Sequence, residues 1–229
     1  MNPIFALIAA AGQGLRMGGE MPKQYQLVNG EPLLRHAIRA LCSYERVQCV
    51  FVVLAPQDEC FSSLDWSDFG GRLQPLYCGG TSRAQSVFNG LVAMGDALQA
   101  DDWVMVHDAA RPCVNAQMLD RLCETLSEDP VGGLLAVPLA DTLKLSTKTH
   151  HVEKTVSRER LWQAQTPQMF RYRLLWEAMR QGAKTQMTDE SSAIEALGFS
   201  PRLIQGSIRN LKVTWPEDVL MAEMLLKQV

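Results

Sequence analysis

The 229-residue sequence lacks the marks of several protein classes, and each absence narrows the reading. It has no apolar run near the ~20 residues that a bilayer-spanning helix needs. The apolar stretch from Ile4 to Ala11 is short, has no basic region ahead of it and runs straight into a glycine cluster. It therefore reads as a buried strand rather than a signal peptide, and the cytoplasm is the expected compartment. Positive charge is not in excess: 22 Lys and Arg stand against 25 Asp and Glu, for a formal net charge of -3. That speaks against a general nucleic-acid binder with a basic face, although a local basic pocket stays open. None of the six cysteines, Cys42, Cys49, Cys60, Cys78, Cys113 and Cys123, sits in a C-x-x-C pair, so zinc-site spacing is absent. With no secretory signal they read as reduced thiols packing as small hydrophobes. There is no G-x-x-x-x-G-K-[ST] loop, no internal repeat and no low-complexity tract.

What is present is an ordinary globular composition, 47% hydrophobic and 21% charged, in a length that fits one domain. A chain of this size buries roughly 70% of its unfolded surface and needs no staple. Continuous apolar runs at Ile4 to Ala10, Val47 to Ala55, Trp103 to His107 and Gly133 to Val137 have the pattern of strands covered on both faces. Between them, Pro32 to Leu41, Ser82 to Leu98 and Ala116 to Leu126 carry apolar residues at helical spacing. This alternation predicts an α/β fold: a Rossmann-like, mostly parallel sheet flanked by helices, with ligands at the carboxyl ends of the strands. The rhythm breaks over residues 138 to 165. There Thr142, Leu143, Leu145, Val152, Thr155 and Val156 suit two short strands, and we expect a protruding β-arm used in dimerisation. Helices follow near Arg171 to Gln181, after Asp189 and from Pro216 to Lys227, with a strand near Leu203.

The post-strand segments carry the chemistry. In AAAGQGLRMGGEMPKQY, residues 9 to 25, Gly12 and Gly14 let the backbone approach a ligand and present N–H donors. Arg16 and Lys23 add a planar fork and a point charge suited to a polyphosphate. In VMVHDAARP, Asp108 emerges at a strand's carboxyl end, placed to share Mg²⁺ with phosphate oxygens, or else to cap a turn. Arg111 follows on the loop, and His107 reads as a packing or hydrogen-bonding residue. In YCGGTSRAQSV, Gly79 and Gly80 make a second close approach. Thr81 or Ser82 serves the ligand or caps the next helix, and Arg83 and Ser86 lie one turn apart at the helix start.

Taken together, AAAGQGLRM, PKQY, GGTSRAQSV, VHDAARP, DTLK, TVSRERLWQAQTPQ, TDESSA and LKVTWPEDV resemble, in order, the 2-C-methyl-D-erythritol 4-phosphate cytidylyltransferase family of the non-mevalonate isoprenoid pathway. The resemblance spans residues 9 to about 219. It implies CTP and a small polyol phosphate as ligands, Mg²⁺ as cofactor, and a homodimer whose arms reach into the partner's site. By resemblance, Arg16 and Lys23 stabilise the transition state. Ala10, Ala11, Gly12, Gly80, Thr81 and Ser86 surround the cytidine, and Asp108 binds Mg²⁺. Thr142 and Arg158 hold the methylerythritol phosphate of the neighbouring subunit, and Arg111, Thr166, Thr188 and Lys212 complete that site. Arg158 and Lys212 join Arg16 and Lys23 as the charged groups of catalysis.

The sequence departs from the family's pattern at Arg209-Asn210-Leu211-Lys212, where many members read D-N-I-K, so a charge is reversed. Thr81 replaces a commonly acidic residue. The first departure leaves ribitol phosphate as an alternative substrate and a non-catalytic CTP-binding protein as an alternative class. A sugar-phosphate guanylyltransferase is the rival within enzymes. The expected chemistry is in-line attack of the substrate phosphate on the α-phosphorus of CTP with release of pyrophosphate, carried by positioning and electrostatics.

Overall fold

The computed structural model describes residues 2–12, 21–182 and 187–227. In chain order the elements are β1 (Ile4–Ala9), β2 (Leu27–Val28), β3 (Glu31–Pro32), α1 (Leu33–Cys42), β4 (Val47–Val53), β5 (Leu73–Leu76), α2 (Arg83–Ala93), β6 (Trp103–Asp108), α3 (Ala116–Leu126), β7 (Gly132–Pro138), β8 (Leu143–Ser146), β9 (Val152–Val156), β10 (Trp162–Arg171), α4 (Tyr172–Gly182), α5 (Glu190–Ala196), β11 (Arg202–Gln205) and α6 (Pro216–Leu226). Seven strands form one sheet in the order β11-β7-β10-β6-β1-β4-β5. Every pairing is parallel except those of β10, which runs antiparallel to both β6 and β7.

The sheet is covered on both faces, as its unbroken apolar strands require. Alternate residues of β1 go to opposite sides. Ile4, Ala6 and Ile8 join one core layer with Leu34, Ile38 and Leu41 of α1 and Leu119 and Leu122 of α3. Phe5 and Leu7 join the other with Val87 and Leu91 of α2, Leu175 and Met179 of α4 and Ile194 of α5. The helix α2 comes close because Gly90 has no side chain; a Cβ there would meet Val53 Cγ2 at 2.5 Å and Leu7 Cδ1 at 2.8 Å. All six cysteines are free thiols. Burial pushes the thiol of Cys42 up to about 12 and that of Cys113 up to about 11, so they pack as hydrophobes, as expected. Among the described residues no helix is long and apolar enough to cross a membrane.

Two expectations need adjusting. The sequence reading assigns no strand to Gln163–Phe170, yet β10 lies in the middle of the sheet. Its glutamines and Pro167 read as loop, since proline rarely sits in a central strand. The register slips between Ala164 and Gln168, and the Thr166–Pro167 peptide in that slip is cis. The arm is also shorter than residues 138–165. The two-stranded hairpin is β8 with β9, and β7 and β10 at its root pair within the main sheet as far out as Pro138 and Trp162. Short elements also escape the sequence reading: the edge strand β5, and the small β2–β3 pair that precedes α1.

Candidate active site

The register aligns the strand ends that make the site. Ala9 of β1 stands opposite both Val53 of β4 and Asp108 of β6. Beyond them opens a cleft of about 910 Å³, lined by residues from six segments, among them Ala10 to Gly12, Lys23, Gly80 to Arg83, Asp108 and Lys212.

The first wall is the chain leaving β1. Ala10 N–H donates to Val53 O (2.9 Å), and Ala10 O accepts from Gln24 Nε2 (2.7 Å). The single turn at Lys23–Tyr25 is fixed at its other end by the Tyr25 hydroxyl, which lies 2.8 Å from both carboxylate oxygens of Asp58. Just ahead of those anchors Lys23 projects to the rim, where Nζ donates to Val213 O (2.8 Å). Gly14 and Arg16 lie outside the described residues.

The second wall is the Gly79–Gly80 turn and α2. A Cβ on Gly79 would collide with the Ala11 Cβ and with Leu54 O, so glycine lets this turn meet the first wall. Ser82, not Thr81, caps α2: its Oγ accepts from Gln85 N–H (3.1 Å). Ser86 is buried, and its hydroxyl bridges Gly80 N–H (3.0 Å) and Ser82 O (2.9 Å), fixing the turn. Thr81 is exposed at the mouth.

The floor is ionic. Asp108 is buried. Its Oδ1 accepts from Arg83 Nε (2.8 Å), its Oδ2 pairs with Lys212 Nζ (2.7 Å), and Arg111 Nε is 3.8 Å away. Burial alone would raise its pKa, but Arg83, Lys212 and Arg111 outweigh that and hold the carboxyl well below the usual range. Arg83 turns its other two nitrogens on Glu190, at 2.7 and 3.1 Å, in the fork geometry that suits a guanidinium. Burial opposes the charge on Arg83, and Glu190 and Asp108 more than restore it. Arg83, Arg111 and Lys212 thus gather around Asp108, and Lys23 joins Arg83 and Lys212 in lining the cleft, so cations concentrate here in a chain of net charge -3.

Glu190 is the member that sequence reasoning missed. It is 0% exposed and opens α5, where an acidic residue reads as a response to the helix dipole. Nothing in a separation of 107 residues signals its pairing with Arg83.

Other expected residues fall in different surroundings. Thr166 is buried behind Asp108; its Oγ1 accepts from Asp108 N–H (3.0 Å) and contacts His107 Nδ1 (3.1 Å). His107 Nε2 lies 3.0 Å from Arg111 O, and burial lowers the imidazole to about 4, which keeps it neutral. Its expected packing role agrees with this. Arg111 is buried with its guanidinium on backbone carbonyls, Asn210 O (2.6 Å) and Ala164 O (3.4 Å). Thr188 is exposed beside a smaller cleft that it shares with Arg83 and Glu190. The cap of α5 is Asp189, whose carboxylate accepts from Ser192 N–H (3.0 Å). Thr142 and Arg158 are exposed at the base of the hairpin and do not line this cleft.

A mostly parallel α/β sheet in which the Gly79–Gly80 turn meets the chain leaving β1 over an ionic floor at the carboxyl edge is a nucleotide-handling architecture. Comparison with known proteins narrows it. The family model for 2-C-methyl-D-erythritol 4-phosphate cytidylyltransferase matches residues 4–228, and the chain belongs to that family. A protein of that name from Nitrosospira multiformis is 54% identical over 229 residues, covering 99% of both chains. One from Nitrosomonas eutropha is 50% identical over all of this chain and 98% of its own. Among solved structures, a 4-diphosphocytidyl-2C-methyl-D-erythritol synthase superposes with a TM-score of 0.87 at 36% identity, covering 99% of both chains. The cytidylyltransferase of Francisella tularensis gives 0.84 at 33%, over 98% of this chain and 100% of the other.

Proposed function

We propose that the chain transfers the cytidylyl group of CTP to 2-C-methyl-D-erythritol 4-phosphate, releasing pyrophosphate, as an early step of isoprenoid precursor synthesis. Family membership over the whole length supports the reaction. The observation that carries the mechanism is that Lys212 Nζ lies on Asp108 and Lys23 Nζ on the carbonyl of Val213, the residue after Lys212, in a cleft that Ala10 to Gly12 also line.

The substrate phosphate is already ionised, so attack on the α-phosphorus needs no general base. Negative charge grows on the α-phosphate oxygens as the new bond forms. Lys23 and Lys212, charges held in a walled cleft, neutralise it together with Arg16, doing what water would otherwise do. Backbone N–H groups at the glycine turns hold the triphosphate. Ala10, Ala11, Gly80, Thr81 and Ser86 enclose the cytidine, all of them lining the cleft.

Magnesium fits as a shared ligand. The described residues gather no set of three or more His, Cys, Asp or Glu side chains. Asp108 would therefore hold a divalent ion jointly with nucleotide phosphates, the usual way magnesium is bound. Bound there, the ion would offset phosphate charge.

The hairpin supports a homodimer with arm exchange. Leu145 and Val152 lie exposed on it, and Thr142 and Arg158 at its base point to service in a partner's cleft. Six free thiols suit a reducing cytoplasm.

The test is pyrophosphate release with Mg²⁺ and CTP, comparing methylerythritol phosphate with ribitol phosphate, then exchanging CTP for GTP. Release with CTP and methylerythritol phosphate is the expected result. Release with ribitol phosphate alone would move the exposed Arg209, beside the Lys212 loop, to the centre of substrate choice. Tight CTP binding without release from either polyol would sink the transferase reading.

A further inference from the structure

The segment 206–214 joins β11 to α6 without regular structure, yet both active-site lysines depend on it. It carries Lys212, and its Val213 carbonyl receives Lys23. A solvated loop of this length would let Lys212, 40% exposed, sample many positions. Its path is instead held from below. Gly206 N–H donates to Ala136 O (2.8 Å) and Val213 N–H to Ala110 O (2.8 Å), pinning the two ends. Between them lies a polar latch. The Gln165 side-chain amide pairs with both backbone groups of Ser207, Nε2 to O at 2.8 Å and N–H to Oε1 at 3.3 Å. Asn210 turns under the loop: Nδ2 donates to Thr166 O (2.8 Å), and its own carbonyl takes Arg111 Nη1 (2.6 Å). The two amides also meet, Nδ2 to Gln165 Oε1 at 3.4 Å.

Asn210 is 0% exposed while Ile208, two residues earlier, is 85% exposed, so the side chain is drawn in against the general character of the loop. Its Oδ1 is buried without a protein partner, a cost that packing alone does not justify and an apolar residue would avoid. Asn210 is not among the residues that line the cleft, whereas Lys212 is.

We infer that Asn210, together with Gln165, is a positioning residue: it fixes the 206–214 segment so that Lys212 Nζ meets Asp108 and the Val213 carbonyl meets Lys23. The latch is rooted in β10, the strand that continues into the arm, so the cation pair and the arm share one mechanical support. The kinetic arm of the test rests on the cytidylyl-transfer reading; the labelling arm does not.

Asn210→Ala and the milder Asn210→Ser, which keeps a hydroxyl donor, are made in the full chain, alone and with Lys212→Ala, and their folding is checked by thermal melting. First, competitive acetylation of the free protein with acetic anhydride is read at each lysine by mass spectrometry. Lys212 should react several-fold faster in Asn210→Ala than in the wild type, with Lys144, Lys148 and Lys154 on the hairpin unchanged. Second, kcat with Mg²⁺, CTP and methylerythritol phosphate should fall about tenfold in Asn210→Ala with less change in KM, and fall less than about twofold further when Lys212 is already alanine, since residues acting as one unit are non-additive. If Asn210→Ala melts early, the serine variant carries both arms. Unchanged Lys212 labelling in a folded variant overturns the inference whatever the protein catalyses. An equal kcat loss in both Lys212 backgrounds overturns it too, by showing a general structural role. A wild type inactive with these substrates counts against the proposed reaction, and the labelling result then decides the latch on its own.

Discussion

Two charged regions of this molecule behave oppositely. The hairpin β8–β9 carries Lys144, Lys148, Glu153 and Lys154 and ends near Arg158, Glu159 and Arg160, all in solvent. The cleft floor carries Asp108, Glu190, Arg83 and Arg111, tied to one another or to buried backbone. Water screens the first set, so these charges add little to stability. The second set is held by protein dipoles and ions fixed in place before any ligand arrives. The same side chains are thus solubilising in one place and a prearranged field in the other, and the difference is burial.

The sharpest way to break that contrast is Glu190→Ala. It leaves Arg83 beside Asp108 with its fork empty. Removing one partner of a buried pair commonly costs ~3–5 kcal/mol, and with Arg83 partly exposed the lower end is expected here. Urea unfolding reads it directly. A cost below ~1 kcal/mol would mean that the floor is as well screened as the hairpin. Next in size is Lys23→Ala. Loss of one such electrostatic donor costs ~2.7–4 kcal/mol of barrier, a fall in kcat of about 10²–10³, with the melting temperature nearly unchanged. Near-normal turnover would remove Lys23 from the mechanism.

The pH dependence sharpens the same point. His107 is neutral when folded, its pKa lowered by burial to about 4, whereas the unfolded side chain titrates near 6.5. As pH falls from about 6.5 towards 4, the unfolded state takes up a proton that the native state refuses, so stability drops. At pH 4.5 the loss from this one residue is of order 2–3 kcal/mol. The lowered pKa of Asp108 has the same sign but a lower window: its stabilisation is present above its unfolded pKa near 3.9 and is lost as pH falls below that through the depressed native value. The window between 6.5 and 4 therefore belongs to the histidine. Urea unfolding at pH 7.5 and 4.5 should show a drop in the wild type that shrinks in His107→Asn. An equal drop in both would assign it to other groups.

Much of this was legible before the fold. The apolar strands, the helix stripes and the glycine turns report local requirements, so β1, β4, β6, α3 and the neighbourhood of Asp108 follow from residue spacing. Lys23 was legible beside the glycine loop, and family resemblance added Lys212. What stayed hidden is what only tertiary contact creates. β10 reads as loop because glutamines and a proline fill it, yet Gln165 and Gln168 are buried and bonded, Gln168 to Asp189 and Ser191. Glu190 looks like a helix-start acid until Arg83 is folded onto it. Arg111, which family resemblance assigns to the substrate, rests its guanidinium on the carbonyls of Asn210 and Ala164, contacts that no spacing in the sequence announces.

The smallest effect on the folded chain is the one that best isolates the hairpin. Leu145 and Val152 are 43% and 64% exposed, and the hairpin's cross-strand partners include charged Lys154 opposite Leu145. Neither residue belongs to the buried clusters of the domain. Apolar groups left in water gain nothing from the fold of their own chain, so Leu145→Ser with Val152→Ser should change the stability of the monomer by no more than ~0.5 kcal/mol. Their hydrophobic contribution should be realised only against a second chain. Sedimentation equilibrium across a dilution series should therefore show a weakened dimer in the double variant, while urea unfolding at high dilution matches the wild type. A large loss of monomer stability would mean that the hairpin packs on its own domain and that the contrast between the two regions is one of degree.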